Sequence, residues 1–273
     1  LLTTLSRLAL YATIVSLTLF IAKGTEYLLV RSPSEVLDVV RYPLFVPLAA
    51  ILIAILIGVE EAFFTALILA VLMSMTLAVD HTRFLVVNIA ASIVGILSAR
   101  SLRRRMQVFA VCARVWLATI PVFLMFLFSQ NAYWSPLFIS DVTSSFAFMV
   151  LTSILIIGLL PLFESLFHVM TEITLMEYMD PNNDLLRRLS IEAPGTYQHC
   201  LVVGSLAEVA AQAIGANGLF CRVASLYHDI GKLFNPHYFT ENQLGGFNIQ
   251  QPLTPSVSAQ VMIAHITDCE QLA

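Results

Sequence analysis

The chain has 273 residues, of which 58% are hydrophobic and only 12% charged, and its formal net charge is −4. A soluble domain carries roughly twice that share of charge, and a mildly acidic chain without a Lys/Arg stripe excludes a surface for a nucleic-acid polymer. Charge is sparse through residue 170 and ordinary after it, so a membrane part is followed by a soluble part. The four cysteines, Cys112, Cys200, Cys221 and Cys269, form no CxxC pair. That suits a reducing compartment and gives no zinc-ribbon signal.

A spanning helix needs about 20 mostly apolar residues. Six stretches qualify, at 4–22, 42–58, 60–79, 83–99, 106–128 and 143–167. The second and third are separated only by Gly58, Val59, Glu60 and Glu61, which reads as a tight helical hairpin. Six buried helices in one soluble core would leave too little polar surface to cover them. The expectation is therefore a membrane domain over 1–168 with about six transmembrane helices. Arg100, Arg103, Arg104 and Arg105 lie between the fourth and fifth spans, and the positive-inside bias puts that loop in the cytoplasm. The next loop, which holds Tyr133 and Trp134, has no Lys or Arg and faces outside. The last span returns, so everything after about residue 168 is cytoplasmic. The protein reads as multi-pass in the cell (inner or plasma) membrane, with membrane lipid as a partner. Lys23, Arg31 and Arg41 oppose this orientation weakly, and the denser arginine cluster outweighs them. Arg114, about two turns into the fifth span, is expected to snorkel to the interface. Glu164 is expected at the inner interface.

Residues 169–193 read as a stalk or linker. Met170, Ile173, Leu175 and Met179 have helical spacing, and Pro181-Asn182-Asn183 breaks it. Residues 194–273 read as a helical domain. Pro194-Gly195 makes a turn, and Thr196 is placed to cap a helix that ends at Gly215. A second helix, over about 218–230, carries His228 and Asp229 and stops at Gly231. A loop with Pro236, Gly245 and Gly246 follows. Thr254 then caps a third helix with Pro255 in its first turn. No strand pattern occurs, so the fold class is all-α throughout.

His199, His228, Asp229 and His265 fall on three consecutive predicted helices. Neutral imidazoles with a carboxylate suit divalent transition metals such as Mn, Fe, Co or Zn. A carboxylate has two oxygens, so Asp229 is able to bridge two ions, and an ion pair clamps both ends of a phosphoryl transfer. A single helical histidine is more often structural; the four residues at this spacing are much more specific. His81 and His168 at membrane turns, and His237 in a loop near the site, are weaker candidates. Lys232 either holds a phosphate as a point charge or is a solvated helix-end lysine favoured by the dipole.

The segments "EAPGTYQHCLVVGSLAEVAAQAIGAN", "RVASLYHDIGKLFNPHYFTENQ" and "LTPSVSAQVMIAHITD" resemble the seven-transmembrane HD-domain phosphodiesterases that hydrolyse cyclic di-AMP. The resemblance covers nearly the whole chain. It implies a polytopic helical membrane domain followed by the N-terminal part of an all-helical HD-type phosphohydrolase domain at 194–273. It implies two divalent ions, manganese or iron, held by His199, His228, Asp229 and His265, with Asp229 bridging. Asp229 and Lys232 are then the catalytic candidates. The implied activity is opening of cyclic di-AMP to pApA in second-messenger signalling. An extracellular domain and a first membrane helix are expected before Leu1, with an extracellular ligand acting through them. An adjacent histidine pair and a final aspartate are expected beyond Ala273, so residues 1–273 alone are expected to turn over little or nothing. Three positions depart from the family pattern: Cys200 replaces a serine, Cys269 replaces a glycine, and "NIQQP" replaces a segment with histidine before "LTP". The alternatives are a phosphodiesterase for cyclic di-GMP or another nucleotide, and a non-catalytic nucleotide-binding membrane receptor. The oligomeric state, a homo-oligomer included, stays open.

Overall fold

The computed structural model describes residues 4–31, 43–76, 80–100, 102–129, 136–243 and 248–272. The expected interfacial pair Tyr133 and Trp134, Arg41, and the loop glycines Gly245 and Gly246 lie outside them. The described residues contain helices and no strand, as the all-α reading requires. The chain divides into two compact units, Leu1–Thr171 and Glu172–Ala273.

The first unit holds α1 (Thr4–Val30), α2 (Val46–Leu56), α3 (Val59–Thr76), α4 (His81–Ala99), α5 (Gln107–Ser129) and α6 (Pro136–Phe167). All of these except α2 are long and apolar enough to cross a membrane, so the chain is a multi-pass membrane protein. The span expected at 42–58 is corrected. Its helix has 11 residues and rises only about 16 Å, against a hydrocarbon core of about 30 Å. Pro47 lies in its first turn, where the missing proline N–H costs no helix bond; Gly58 lies just past its end. What α2 lacks in length it has in burial: Leu44, Phe45, Val46 and Leu48 through Ile53 are each at most 1% exposed. Its apolar run marks the centre of the bundle.

Large apolar side chains such as Phe20, Phe64, Met75 and Phe128 are exposed on this unit, as expected where lipid is the solvent. Several hydroxyl side chains close bonds on their own helix. Thr13, Thr18 and Thr25 hydroxyls donate to the carbonyls four residues back, at 2.7–2.8 Å. Arg7 at the start of α1 pairs with Glu61 at 2.9 Å and donates to the Ile57 carbonyl. Lys23 near the other end of α1 donates to the Thr76 carbonyl. The α2–α3 hairpin and the Lys23 end therefore face opposite sides of the bundle. Arg114 is exposed, which fits snorkelling. Glu164 is buried within the protein: it accepts from Arg105, beside the arginine loop, at 3.2 Å and from Thr171 at 2.6 Å. His168 ends α6 in the left-handed region (φ 53°), and the Val169 amide bonds back to the Glu164 carbonyl. Its conspicuous position is thus that of a helix terminator.

The second unit holds α7 (Glu172–Tyr178), α8 (Asp184–Glu192), α9 (Pro194–Ala213), α10 (Gly218–Tyr227) and α11 (Pro255–Leu272), with short 3₁₀ turns at Ile230–Phe234, Pro236–Tyr238 and Thr240–Asn242. Residues 172–193, most of the segment expected as a stalk, belong to this unit and contribute to its core. Leu186 and Leu189 of α8 pack with Ala193, Cys200, Leu226, Ile230 and Leu233. The Tyr227 hydroxyl donates to the Tyr178 carbonyl at 2.6 Å. At the end of α9, Gly215 has φ +72°, and the Gly215 and Ala216 amides bond back to Gln212 and Ala211. That is the glycine stop expected from sequence.

Candidate metal centre

Asp229 is 5% exposed and forms the middle of the site. His228 and Asp229 were expected inside a helix, but α10 ends at Tyr227 and both lie just past it. His228 keeps helical dihedrals (φ −65°, ψ −23°), while Asp229 turns to φ −118°, ψ 17°. In a continuous helix neighbouring side chains diverge by about 100°. The turn removes that constraint and brings His228 Nε2 to 3.4 Å from Asp229 Oδ2.

His199, on α9, places Nε2 3.9 Å from the same Oδ2. His265, on α11, places Nε2 3.5 Å from the other oxygen, Oδ1. The sequence-selected residues His199, His228, Asp229 and His265 thus converge, and they address the carboxylate from both sides. Ligand atoms of His199, His228 and Asp229 all lie within 4.8 Å of one another.

These donors fit a transition-metal ion. Two atoms each about 2.1 Å from one ion stand about 3–4 Å apart. The outer contacts set the tautomers. His228 Nδ1 lies 2.7 Å from the Ser225 carbonyl, and His265 Nδ1 bonds the Met262 carbonyl. A carbonyl only accepts, so each Nδ1 carries a proton, which leaves Nε2 as the ring nitrogen that a metal would take. His237 is exposed, and its carbonyl accepts from Gln243; it takes no part in the cluster.

Lys232 is not the solvated helix-end lysine that sequence allowed. Its side chain is 13% exposed, with Nζ 2.8 Å from Asp229 Oδ2 and 2.8 Å from Glu241 Oε1. The ammonium also sits 4.8 Å from the centre of the Phe239 ring. Burial pushes the Lys232 ammonium down, but hydrogen bonds to Asp229 and Glu241 outweigh it and leave its pKa above the ordinary lysine value. Glu241 answers in kind: burial pushes it up, but the bond from Lys232 and further contacts hold it below the usual carboxylate value. Burial pushes the Cys200 thiol up to about 11, with the Asp229 charge adding to the effect. The thiol therefore stays protonated, 3.7 Å from His228 Nδ1, and is no competing thiolate ligand.

Two corrections concern small residues. Gly231 was expected as a helix stop that needs conformational freedom; it has no positive φ. A Cβ there would meet the His265 carbonyl oxygen at 2.0 Å and the Cys269 amide at 2.7 Å. Glycine is required for close approach of the HD turn to α11. Thr196 was expected to cap a helix, but α9 already starts at Pro194. Its amide and hydroxyl instead bond Asn242, at 3.0 and 2.8 Å. Cys269, where the family pattern has glycine, accepts from the Gly231 amide at 3.1 Å and donates to the His228 carbonyl at 3.4 Å. Its sulfur stitches α11 to the His228–Asp229 turn. Sequence reading gave no role to Glu241 or Asn242. The only signal was their place in "PHYFTENQ", a polar cluster two turns beyond Lys232.

A family model described as a 7TM receptor with intracellular HD hydrolase matches residues 1–171, and an HD-domain model matches residues 196–273. The cyclic-di-AMP phosphodiesterase PgpH of Bacillus subtilis (strain 168) is 37% identical over 235 residues, which cover 82% of this chain and 32% of that protein. The PgpH of Listeria monocytogenes serotype 1/2a (strain 10403S) is 35% identical over 224 residues, covering 81% of this chain and 31% of that one. The chain thus spans about a third of the length of these curated relatives. The crystal structure of the L. monocytogenes PgpH HD domain in complex with cyclic-di-AMP is 46% identical over 34% of this chain and 44% of that one, with a TM-score of 0.33. The chain belongs to the family of 7TM receptors with an intracellular HD hydrolase.

Proposed function

We propose that this chain is part of a membrane-anchored, metal-dependent phosphodiesterase that opens cyclic di-AMP to linear pApA. One observation carries the reading: Asp229 faces His199 and His228 through Oδ2 and His265 through Oδ1. A carboxylate addressed by histidines on both oxygens is a donor set that would suit two ions. We assign His199, His228, Asp229 and His265 as the ligands and manganese or iron as the metal. Bound there, the ions would supply Lewis acidity to a water and to the phosphodiester.

The chain's own residues do the rest. Asp229, buried, anchors the cluster. The Ser225 and Met262 carbonyls fix the imidazoles of His228 and His265. Lys232 offers its ammonium to a non-bridging phosphate oxygen as a point charge. One water adds to phosphorus in line, the P–O3′ bond breaks, and the 3′ oxygen leaves as a hydroxyl. The names of the PgpH relatives supply the substrate. The arginine loop at 100–105 supports a cytoplasmic HD domain. The membrane domain at 1–168, the segment 169–193 and the HD part from 194 form our division of the chain.

The test uses the full-length protein with Mn²⁺ and either cyclic di-AMP or cyclic di-GMP, with product read by mass spectrometry. The expected result is pApA from cyclic di-AMP, faster than turnover of cyclic di-GMP, and loss of both in Asp229→Asn. Undiminished hydrolysis by that variant would overturn the site. Nucleotide binding without turnover would instead make the protein a receptor.

A further inference from the structure

Lys232 introduces a conflict into the cluster. Its ammonium lies 2.8 Å from Asp229 Oδ2, the same oxygen that faces His199 and His228. A positive charge there opposes any cation that shares that oxygen, and burial weakens the solvent screening that would relieve it. Glu241 is the group that answers it. Its Oε1 takes the ammonium at 2.8 Å and is itself steadied by the Thr196 hydroxyl at 3.2 Å. Among the described residues, the Glu241 carboxylate bonds Lys232 and Thr196 and no histidine of the cluster. Nor is its carboxylate needed to hold the 240–242 turn. The neighbouring Asn242 does that, with bonds to the Thr196 amide and hydroxyl and to the Pro236 carbonyl. The position of the Glu241 carboxylate therefore has one evident consequence, the charge and placement of Lys232.

We propose that Glu241 is a positioning residue that sets the metal affinity of the Asp229 cluster through Lys232. It neutralises the ammonium and gives it a second seat, so that Asp229 Oδ2 can serve a cation while Lys232 stays near enough to meet a phosphate. This rests on the metal reading above and is independent of which nucleotide is cut. The three-way contact of Lys232 with Asp229, Glu241 and the Phe239 ring fixes the ammonium on the rim of the cluster.

The experiment is a Mn²⁺ titration of the full-length protein, followed by the free-ion electron paramagnetic resonance signal, without nucleotide. Glu241→Gln keeps the shape and removes the charge; it is expected to weaken Mn²⁺ binding on the order of 10-fold, the usual size of an outer-shell effect. Lys232→Met is expected to bind Mn²⁺ at least as tightly as the natural protein. In the Lys232→Met background, Glu241→Gln is expected to lose its effect. A purely structural role would weaken binding whether or not Lys232 is present. Unchanged affinity in Glu241→Gln, or a loss that Lys232→Met does not restore, overturns the proposal. Should Glu241→Gln not fold, Lys232→Met alone decides, because weaker binding in that variant contradicts the conflict itself. A natural protein that binds Mn²⁺ no better than Asp229→Asn would sink the metal reading, a result distinct from either outcome above.

Discussion

The two units differ in what their buried threonines Thr18 and Thr196 bond. In the membrane unit, the hydroxyls of Thr13, Thr18 and Thr25 return to carbonyls on their own helix, four residues back. In the second unit, Thr196 and Asn242 bond across 46 residues of sequence, and Asp229 collects His199, Lys232 and His265 from three separate elements. Lipid offers no water to compete, so a helix that satisfies itself is sufficient there. A reactive site needs convergence, and convergence comes only from packing. The threonine bonds of the membrane helices are thus legible one segment at a time, whereas the Asp229 cluster rests on contacts that no segment contains.

The sharpest way to test this contrast is Gly231→Ala. The new Cβ would collide with the backbone of α11 at His265 and Cys269. Overpacking of that kind typically costs about 1–3 kcal/mol, and here the loss is expected at the upper end because neither contact is a flexible side chain. Chemical denaturation measures it, and Mn²⁺ binding is expected to fall with it; a variant with natural stability and binding would show that the close approach is not required. Asn242→Ala follows. It strips the Thr196 amide, in a residue 0% exposed, of its partner. An unpaired buried donor costs about 1–3 kcal/mol, to be read from the unfolding free energy.

The membrane counterpart is expected to be milder. Thr18 is 1% exposed and its hydroxyl bonds only the Ile14 carbonyl. Thr18→Val is expected to cost less than about 1 kcal/mol in a detergent-unfolding assay. A loss equal to that of Asn242→Ala would erase the distinction between the units. The smallest effect is a pH dependence. Glu241 has a folded pKa below its ordinary 4.5. Its contribution is therefore complete above 4.5 and is lost as pH falls through the lower, folded value. The difference in melting temperature between the natural protein and Glu241→Gln is expected to shrink on acidification below pH 4.5. A constant difference would remove Glu241 from the ion-pair account.

Much was legible residue by residue. Apolar runs of about 20 residues located α3, α4 and α5 closely, because a helix in lipid depends on its own length and composition. The run at 42–58 passed the same test and is not a full span; composition alone does not reveal that its helix starts only at Val46. The spacing of His199, His228, Asp229 and His265 announced a cluster, and the four residues do meet. Lys232 was noticed and its surroundings were not. Glu241, Asn242 and Phe239 come from a segment without periodicity, and only the fold brings them to the ammonium.

The sequence by itself determined that this is an all-helical membrane protein with a histidine–aspartate cluster after its last span. Hydrophobic length and ligand chemistry are properties of segments, and segments carry them wherever they go. Tertiary structure decided which oxygen of Asp229 each partner faces, that His228 and Asp229 sit on a turn past the helix end, and that Gly231 is needed for space. It also decided that Lys232 is a buried, doubly paired cation. Those are relations between elements far apart in the chain, set by packing distances of a few ångströms, and no local pattern encodes them.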